Sequence, residues 1–136
     1  MIVDASVAVK WFTAEALHDE ARALLTGSEP LVAPDILAIE FANAMWAKAR
    51  RDEIDEADAV RAIAAVSGHG QPQLRPSAPL VARAFDLART LDHPVYDCVY
   101  LAMAEALDTY VVTADRRFVE VAQAQGRVRL LGEPEG

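Results

Sequence analysis

The sequence has little of what marks secreted, membrane or cysteine-ligated metal proteins. Its 136 residues include one cysteine, Cys98, which excludes an internal disulfide and a cysteine-based metal cluster. No apolar run approaches the roughly 18 residues that a membrane-spanning helix requires. Asp4 also interrupts the apolar start at a point where a signal peptide needs apolar residues. We therefore expect a soluble, unprocessed, cytoplasmic protein with no membrane contact.

Basic residues are scarce as well. The chain has 13 Lys and Arg against 21 Asp and Glu, and its formal net charge is −8. Because phosphate neutralisation by basic side chains dominates affinity for nucleic acids, this balance argues against a broad basic binding surface. A protein of this charge that acts on nucleic acid needs another source of positive charge, such as a cation held by clustered acids.

Length and apolar content predict one domain with a single core. Hydrophobic residues make up 53% of the chain, and a chain of this length buries roughly two thirds of its unfolded surface. Short apolar strands alternate with helix-spaced segments, which favours an α/β fold with a central parallel sheet and right-handed crossovers. We expect the domain to span residues 1–131 and residues 132–136 to form a flexible tail.

The apolar pattern also places the individual elements. The predicted strands cover residues 1–4, 31–33, 110–113 and 127–131, the last at a sheet edge. The predicted helices cover residues 17–25, 35–50 with Asp35 as N-cap, 55–66, 80–91, 95–107 and 119–125, and residues 67–72 form a loop. The helix at 95–107 is apolar nearly all round and is therefore expected to be deeply buried.

Four acids stand out from this pattern. Asp4 and Asp115 each follow an apolar strand, at the carboxyl end where ligands of parallel sheets bind. Glu40 and Asp97 lie in apolar helical stretches, where acids are rarely buried without partners. Simpler interpretations remain open: Asp4 and Asp115 as N-caps, Asp97 opposing a helix dipole, and Glu40 paired with Lys48 or an arginine.

If these four acids lie close together in the folded protein, they indicate a binding site for a divalent cation. Two carboxylates about 4 Å apart repel by about 4 kcal/mol at an effective dielectric near 20, and a hard divalent cation removes that conflict. Carboxylates and water suit Mg²⁺ or Mn²⁺, whereas zinc prefers histidine or cysteine. Such a site favours metal-assisted hydrolysis of phosphodiester bonds, because the ion activates water and meets the substrate phosphate.

The motifs around the acids resemble a known family. Their order and spacing are similar to those of the PIN-domain ribonucleases, specifically the VapC toxin branch, at Val3-Asp4-Ala5-Ser6, Glu40 with Asn43, Tyr96-Asp97-Cys98 and Val112-Thr113-Ala114-Asp115. The resemblance implies a three-layer α/β/α PIN-like fold and an endoribonuclease dependent on Mg²⁺ or Mn²⁺. It also implies a homodimer that is neutralised by a VapB-type antitoxin.

The resemblance further implies roles for individual residues. Asp4, Glu40, Asp97 and Asp115 fall on the catalytic acidic positions, with Asp4, Asp97 and Asp115 as metal ligands. The polar side chains expected to orient these carboxylates or their waters are Ser6, Asn43 and Thr113. Basic side chains that would contact RNA, unless they are only solvated surface charges, are Arg116, Arg117 and Lys10.

Other conspicuous residues are predicted to be structural. Cys98 is interpreted as a core residue, and all three histidines, His18, His69 and His93, as surface or loop residues. A group of large apolar side chains is assigned to the core or to a groove for a partner: Trp11, Phe12, Met45 and Trp46. The alternative from another functional class is a catalytically silent PIN-like scaffold that binds proteins. The presence of all four acids favours the enzyme.

Overall fold

The computed structural model describes residues 1–134 and has a parallel sheet at its centre. Five strands pair in the order β3-β2-β1-β4-β5, and every pairing is parallel. The strands are β1 Ile2–Val3, β2 Val32–Pro34, β3 Gln73–Arg75, β4 Val111–Thr113 and β5 Val128–Leu130. Helices flank this sheet, so the predicted α/β/α architecture with a central parallel sheet is confirmed.

In the described part of the chain, seven α-helices connect and cover the strands. They are α1 Ala5–Lys10, α2 His18–Thr26, α3 Ile36–Arg50, α4 Glu56–Ser67, α5 Val81–Leu91, α6 Val95–Ala106 and α7 Arg116–Val121. Short 3₁₀ turns precede α5 and follow α7, at Ala78–Leu80 and Gln123–Gln125. Within residues 1–134, no helix combines the length and apolarity needed to cross a membrane.

The core forms where α6 lies against the centre of the sheet. Residues 98–104 are all buried, and α6 contacts β1, β2, β4 and α5. An all-round apolar helix needs such cover on every side, so the predicted burial of this segment is confirmed. Cys98 is fully buried, and burial raises the pKa of its thiol to about 11, which fits the predicted core role.

Three elements differ from the predicted pattern. The helix predicted at 119–125 is α7, which begins at Arg116 and ends at Val121. Strand β3 was not predicted, because Leu74 is its only apolar residue and its order depends on pairing with β2, where Val32 aligns with Gln73. The first crossover contains two helices, α1 and α2, and not the single helix predicted at 17–25. Helix α1 begins directly after Asp4, at the carboxyl end of the central strand.

Asp35 stands at the N-cap position of α3, as predicted, but its side chain does not cap the helix. The backbone of Asp35 is helical, and no side-chain cap bond forms at the start of α3. The Ser77 hydroxyl instead accepts a hydrogen bond from the Ile36 N–H at 3.1 Å, while Asp35 Oδ1 accepts one from the Ser77 N–H at 3.1 Å. These bonds join α3 to the segment after β3. The predicted tail at residues 132–136 lies partly outside the described residues, which end at Pro134.

Candidate active site

Asp4 occupies the carboxyl end of the central strand and is only 6% exposed. Its Oδ1 accepts hydrogen bonds from the Ser6 hydroxyl at 2.6 Å and the Val7 N–H at 3.2 Å. Its Oδ2 accepts one from the Thr113 hydroxyl at 2.5 Å. Asp4 therefore caps α1 and also presents a carboxylate at the edge of the sheet where parallel sheets bind ligands.

Two hydroxyl side chains join Asp4 to the strand beside it. The Ser6 Oγ accepts a hydrogen bond from the Ala114 N–H at 2.9 Å, and the Thr113 Oγ1 accepts one from the Asp115 N–H at 3.1 Å. Each hydroxyl thus receives one bond from the backbone beyond β4 and donates one to Asp4, which fixes the orientation of the carboxylate. Both residues lie where the sequence predicted supporting groups.

Asn43, the third predicted supporting residue, lies apart from these contacts. It is exposed on α3, one helical turn beyond Glu40. Among residues 1–134, the side-chain amide of Asn43 makes no hydrogen bond to Asp4 or to Glu40. The structure therefore leaves Asn43 as a residue on the rim of the site.

Glu40 is held by a tyrosine that the sequence interpretation overlooked. The Tyr100 hydroxyl donates a hydrogen bond of 2.6 Å to Glu40 Oε1, although the two residues are 60 positions apart. Burial raises the pKa of Glu40, the Tyr100 bond lowers it, and the charge of Asp97 raises it. Burial and the charge of Glu40 also raise the pKa of Tyr100, so the phenol keeps its proton and donates it to the carboxylate. A tyrosine three residues after Asp97 on one helix face was the available signal.

Asp97 is paired with a histidine. His93 lies four residues earlier, with its Nε2 2.6 Å from Asp97 Oδ2. His93 lies in the loop between α5 and α6, as predicted, but it is buried and not at the surface, since only 7% of it is exposed. The negative charge of Asp97 raises the pKa of both Asp4 and Glu40, which places the three acids within electrostatic reach of one another.

Asp115 stands at the exposed margin of this group. Its Oδ1 accepts hydrogen bonds from the Arg117 N–H at 2.9 Å and the Phe118 N–H at 3.4 Å, so it caps α7. The alternative interpretation of Asp115 as an N-cap is therefore realised. Its contact with the other acids is indirect, because the Thr113 hydroxyl bonds both to the Asp115 backbone and to Asp4.

The site carries excess negative charge. Burial raises the pKa of Asp4 to about 6, against the lowering effect of its bonds with Ser6, Thr113 and Val7, and the charge of Asp97 raises it slightly further. Within residues 1–134, no Lys or Arg side chain forms an ion pair with any of the four acids. Lys48, considered as a partner for Glu40, bonds to Glu15 at 2.9 Å.

The donor set suits a hydrated hard cation better than a cage of protein ligands. In the part of the chain that the structure describes, no group of three or more Asp, Glu, His or Cys side chains is arranged to hold one ion. Mg²⁺ usually keeps several waters and binds through one or two carboxylates together with substrate phosphates. Asp4, Glu40 and Asp97 supply oxygen ligands whose negative charge no Lys or Arg neutralises among residues 1–134, and a hydrated Mg²⁺ or Mn²⁺ ion suits such a group.

The three predicted RNA contacts occupy different environments. Lys10 donates hydrogen bonds to Glu15 at 3.2 Å and to the Ala16 carbonyl at 2.8 Å, so it braces the segment after α1. Arg116 and Arg117 are exposed in the first turn of α7, immediately beside Asp115. The two arginines are therefore the better placed of the predicted basic contacts.

Replacing Tyr100 by phenylalanine tests the bond to Glu40. We expect the free energy of unfolding to fall by about 2 kcal/mol, because a hydrogen bond to a charged group is lost in the core. The pKa of Glu40 rises further without this bond, so the acid limb of any pH–activity profile moves to higher pH. Urea unfolding and pH–rate measurements check both effects. Tyr96→Phe is the matched control, since Tyr96 is 62% exposed, and equal behaviour of the two variants would contradict the assigned role.

Fold and site together define a three-layer α/β/α domain with a carboxylate group at the carboxyl edge of its parallel sheet. Residues 1–124 match the family model of the PIN domain. Ribonuclease VapC9 of Mycobacterium tuberculosis is 33% identical over 125 residues, which cover 92% of this chain and 93% of that protein. The chain belongs to the PIN-domain family, in its VapC ribonuclease branch, as its motifs indicated.

Two solved structures share the fold. One is VapC20 of Mycobacterium tuberculosis, described as a sarcin-ricin loop cleaving toxin, with a TM-score of 0.73 and 19% identity over 96% of this chain and 98% of that one. The other is a toxin-antitoxin complex from Klebsiella pneumoniae, with a TM-score of 0.64 and 15% identity over 94% of each chain. At these identities the likeness establishes the architecture.

Proposed function

We propose that the protein is an endoribonuclease toxin that hydrolyses RNA phosphodiester bonds with the aid of Mg²⁺ or Mn²⁺. The observation that carries the proposal is the arrangement of Asp4, Glu40 and Asp97, which interact electrostatically and have no Lys or Arg partner among residues 1–134. Membership of the VapC ribonuclease branch supports the same activity. When bound, the ion would supply a water of lowered pKa and stabilise charge on the phosphate.

The acids of this site would have different roles in the reaction. Asp4 and Asp97 would bind the ion, with Asp4 held in place by Ser6 and Thr113. Asp115 would complete the set of acids from the exposed side while it caps α7. Glu40, held by Tyr100, would accept a proton from the water that attacks the phosphate.

Substrate binding would rely on local positive charge. Arg116 and Arg117 stand exposed beside Asp115 and would contact the phosphates that flank the scissile bond. Lys10 would act indirectly, by holding the segment after α1 through Glu15. With a net charge of −8, the protein would select RNA by the shape of the loops around the site and not by a basic surface.

Metal dependence is the experiment that tests the proposal. We expect Mn²⁺ or Mg²⁺ to raise the melting temperature of protein freed of metal with EDTA, because an ion that binds only the folded state stabilises it, by about 2.7 kcal/mol at a hundredfold excess over Kd. The same ion should be required for cleavage of a fluorescent RNA. An absence of both the thermal shift and cleavage would contradict the proposal.

The same experiment separates the enzyme from a catalytically silent PIN-like scaffold. A scaffold would keep the fold and bind proteins, but neither ion would change its melting temperature and RNA would remain intact. The arrangement of Asp4, Glu40 and Asp97 supports the enzyme, since a scaffold gains nothing from a charge on Asp97 that raises the pKa of Asp4 and of Glu40.

We also propose that a VapB-type antitoxin neutralises the protein and that the active form is a homodimer. A groove of about 380 Å³ between α3 and α4 supports an antitoxin contact, because apolar side chains including Trp46, Val60 and Ile63 line it. Trp46 is 57% exposed, whereas Met45 and Trp11 are core residues, so only part of the predicted aromatic group is accessible. Val81 and Phe85, exposed one turn apart on α5, support a second apolar contact between copies.

A further inference from the structure

His93 contacts both α6, which carries Asp97, and α7, which Asp115 caps. It lies between α5 and α6, and its Nε2 contacts Asp97 Oδ2 at 2.6 Å. Its ring stacks on Phe118 of α7, with a distance of 5.3 Å between ring centroids and an angle of 5° between the planes. Phe118 is fully buried and its N–H donates to the Asp115 cap. The imidazole is therefore fixed in position between Asp97 and the start of α7.

The other ring nitrogen has no such partner. His93 Nδ1 is the one buried side-chain nitrogen or oxygen among residues 1–134 that lacks a hydrogen bond. Leaving a buried polar atom unpaired destabilises the folded protein, so for packing alone a phenylalanine would suit this space against Phe118 better. Packing alone does not account for a histidine here, whereas the Nε2 contact with Asp97 does.

That contact determines how Asp97 is oriented. An ionised carboxylate can only accept hydrogen bonds, so His93 Nε2 carries the proton and donates it to Oδ2. Among residues 1–134, the hydrogen bond and the ion-pair contact of the Asp97 carboxylate are both made with His93. The side chain of Asp97 is 28% exposed and would otherwise rotate about its terminal torsion.

We propose that His93 is a positioning residue, which holds Asp97 Oδ2 through Nε2–H so that Oδ1 is left available for the cation. The proposal rests on the proposed metal-dependent cleavage and adds a residue to it. Carboxylates that bind metals are commonly oriented by such outer hydrogen bonds, whose loss typically reduces metal affinity or activity by 10- to 100-fold.

Two substitutions of His93 separate positioning from packing. His93→Phe keeps a flat ring against Phe118 and removes the donor, whereas His93→Gln restores an N–H donor at a similar distance along the side chain. Titration of metal-free protein with Mn²⁺ measures Kd directly, without RNA. We expect Kd to rise by roughly 10- to 100-fold in His93→Phe and to recover most of that loss in His93→Gln.

Stability and kinetics provide the readouts that a structural role alone would not produce. The metal-free melting temperature of His93→Phe should stay close to that of the wild type, because removal of the unpaired Nδ1 offsets the loss of the bond to Asp97. Its kcat for RNA should fall while KM stays unchanged, since the defect lies at the reacting centre. His69→Phe is the matched control, because His69 is exposed in the loop before β3 and should behave as wild type.

The outcomes distinguish this inference from the function on which it rests. Wild-type affinity for Mn²⁺ in His93→Phe, with affinity lost in Asp97→Asn, would overturn the role of His93 and leave the proposed function standing. A large fall in the metal-free melting temperature of His93→Phe, with no recovery of affinity in His93→Gln, would also overturn it, because it indicates packing. An absence of Mn²⁺ binding by the wild type would overturn both.

Discussion

Replacing Asp4 by asparagine is expected to abolish RNA cleavage while the protein remains folded. The loss should reach about a thousandfold or more, the size expected when a group that acts at the reacting centre is removed. Asparagine keeps the shape of the side chain, and its one oxygen can still accept the bonds from Ser6 and Val7. Its amide nitrogen takes the place of the oxygen that accepts from Thr113 and would donate to the Thr113 hydroxyl instead. It removes the charge that would bind the cation, so the melting temperature of the variant should no longer respond to Mn²⁺.

The same substitution should stabilise the metal-free protein at neutral pH. Asp4 is buried, and a buried carboxylate without a cationic partner destabilises the fold in its ionised form. Urea unfolding at pH 7.5 in EDTA measures this gain, and a gel-based cleavage assay measures the loss of activity. Asp19→Asn is the control, because Asp19 is exposed on α2 and both properties should remain those of the wild type.

Two results would contradict the role of Asp4. Cleavage retained by purified Asp4→Asn would place the activity elsewhere on the protein or in a contaminant. A thermal response to Mn²⁺ that equals that of the wild type would mean that the ion binds without this carboxylate. Either result would leave the PIN fold intact and remove Asp4 from the candidate site.

The stability of metal-free protein should depend on pH through Asp4. Its pKa is about 6 in the folded protein and near 3.8 in the unfolded chain. Between about pH 4 and pH 6 the folded state therefore holds a proton that the unfolded chain has released, so stability falls as the pH rises. One pKa unit corresponds to 1.36 kcal/mol, which gives a loss of about 3 kcal/mol by pH 7 and no further change above it.

A comparison with Asp4→Asn isolates this contribution. Acids with lowered pKa, such as Glu15 beside Lys48 and Lys10, act in the opposite direction, since they stabilise the fold above their unfolded pKa and lose that effect in acid. They are present in both proteins and cancel in the difference. The stability of the wild type relative to Asp4→Asn should therefore fall by about 3 kcal/mol between pH 4 and pH 7. Parallel pH profiles for the two proteins would contradict the raised pKa.

Saturating Mn²⁺ should reverse this pH effect in the wild type alone. An ion binds the ionised carboxylate, so metal affinity rises with pH through the window in which Asp4 loses its proton. At pH 7.5 the stability lost to the buried charge should be recovered, whereas at pH 4.5 the ion should have little effect. Asp4→Asn should show neither behaviour.

The local pattern of apolar residues was enough to predict the two strands and the buried helix that carry or precede the acids of the site. The apolar strand before Asp4 and its counterpart before Asp115 are both strands of the sheet, and both end at its carboxyl edge. The all-round apolar character of residues 98–104 predicted their burial, because a helix with no polar face must be covered on all sides. The resemblance to the PIN domain rested on these same motifs.

Only the tertiary structure decided which side chains meet. The bond from Tyr100 to Glu40 spans 60 positions, and the bond from Thr113 to Asp4 spans 109, so no local periodicity encodes either contact. His93 was correctly predicted to lie in a loop, but its burial could not be foreseen, because it results from packing against Phe118.

The residues next to each acid also do not show whether that acid only caps a helix or is buried beside other acids as well. Asp4 and Asp115 both have the neighbours of an N-cap and both cap a helix, yet Asp4 alone is buried among other acids. The sequence by itself determined four of the five strands, the buried helix, the family and the identity of the acids. The fold decided their burial, partners and pKa, because those depend on contacts between segments that are distant along the chain.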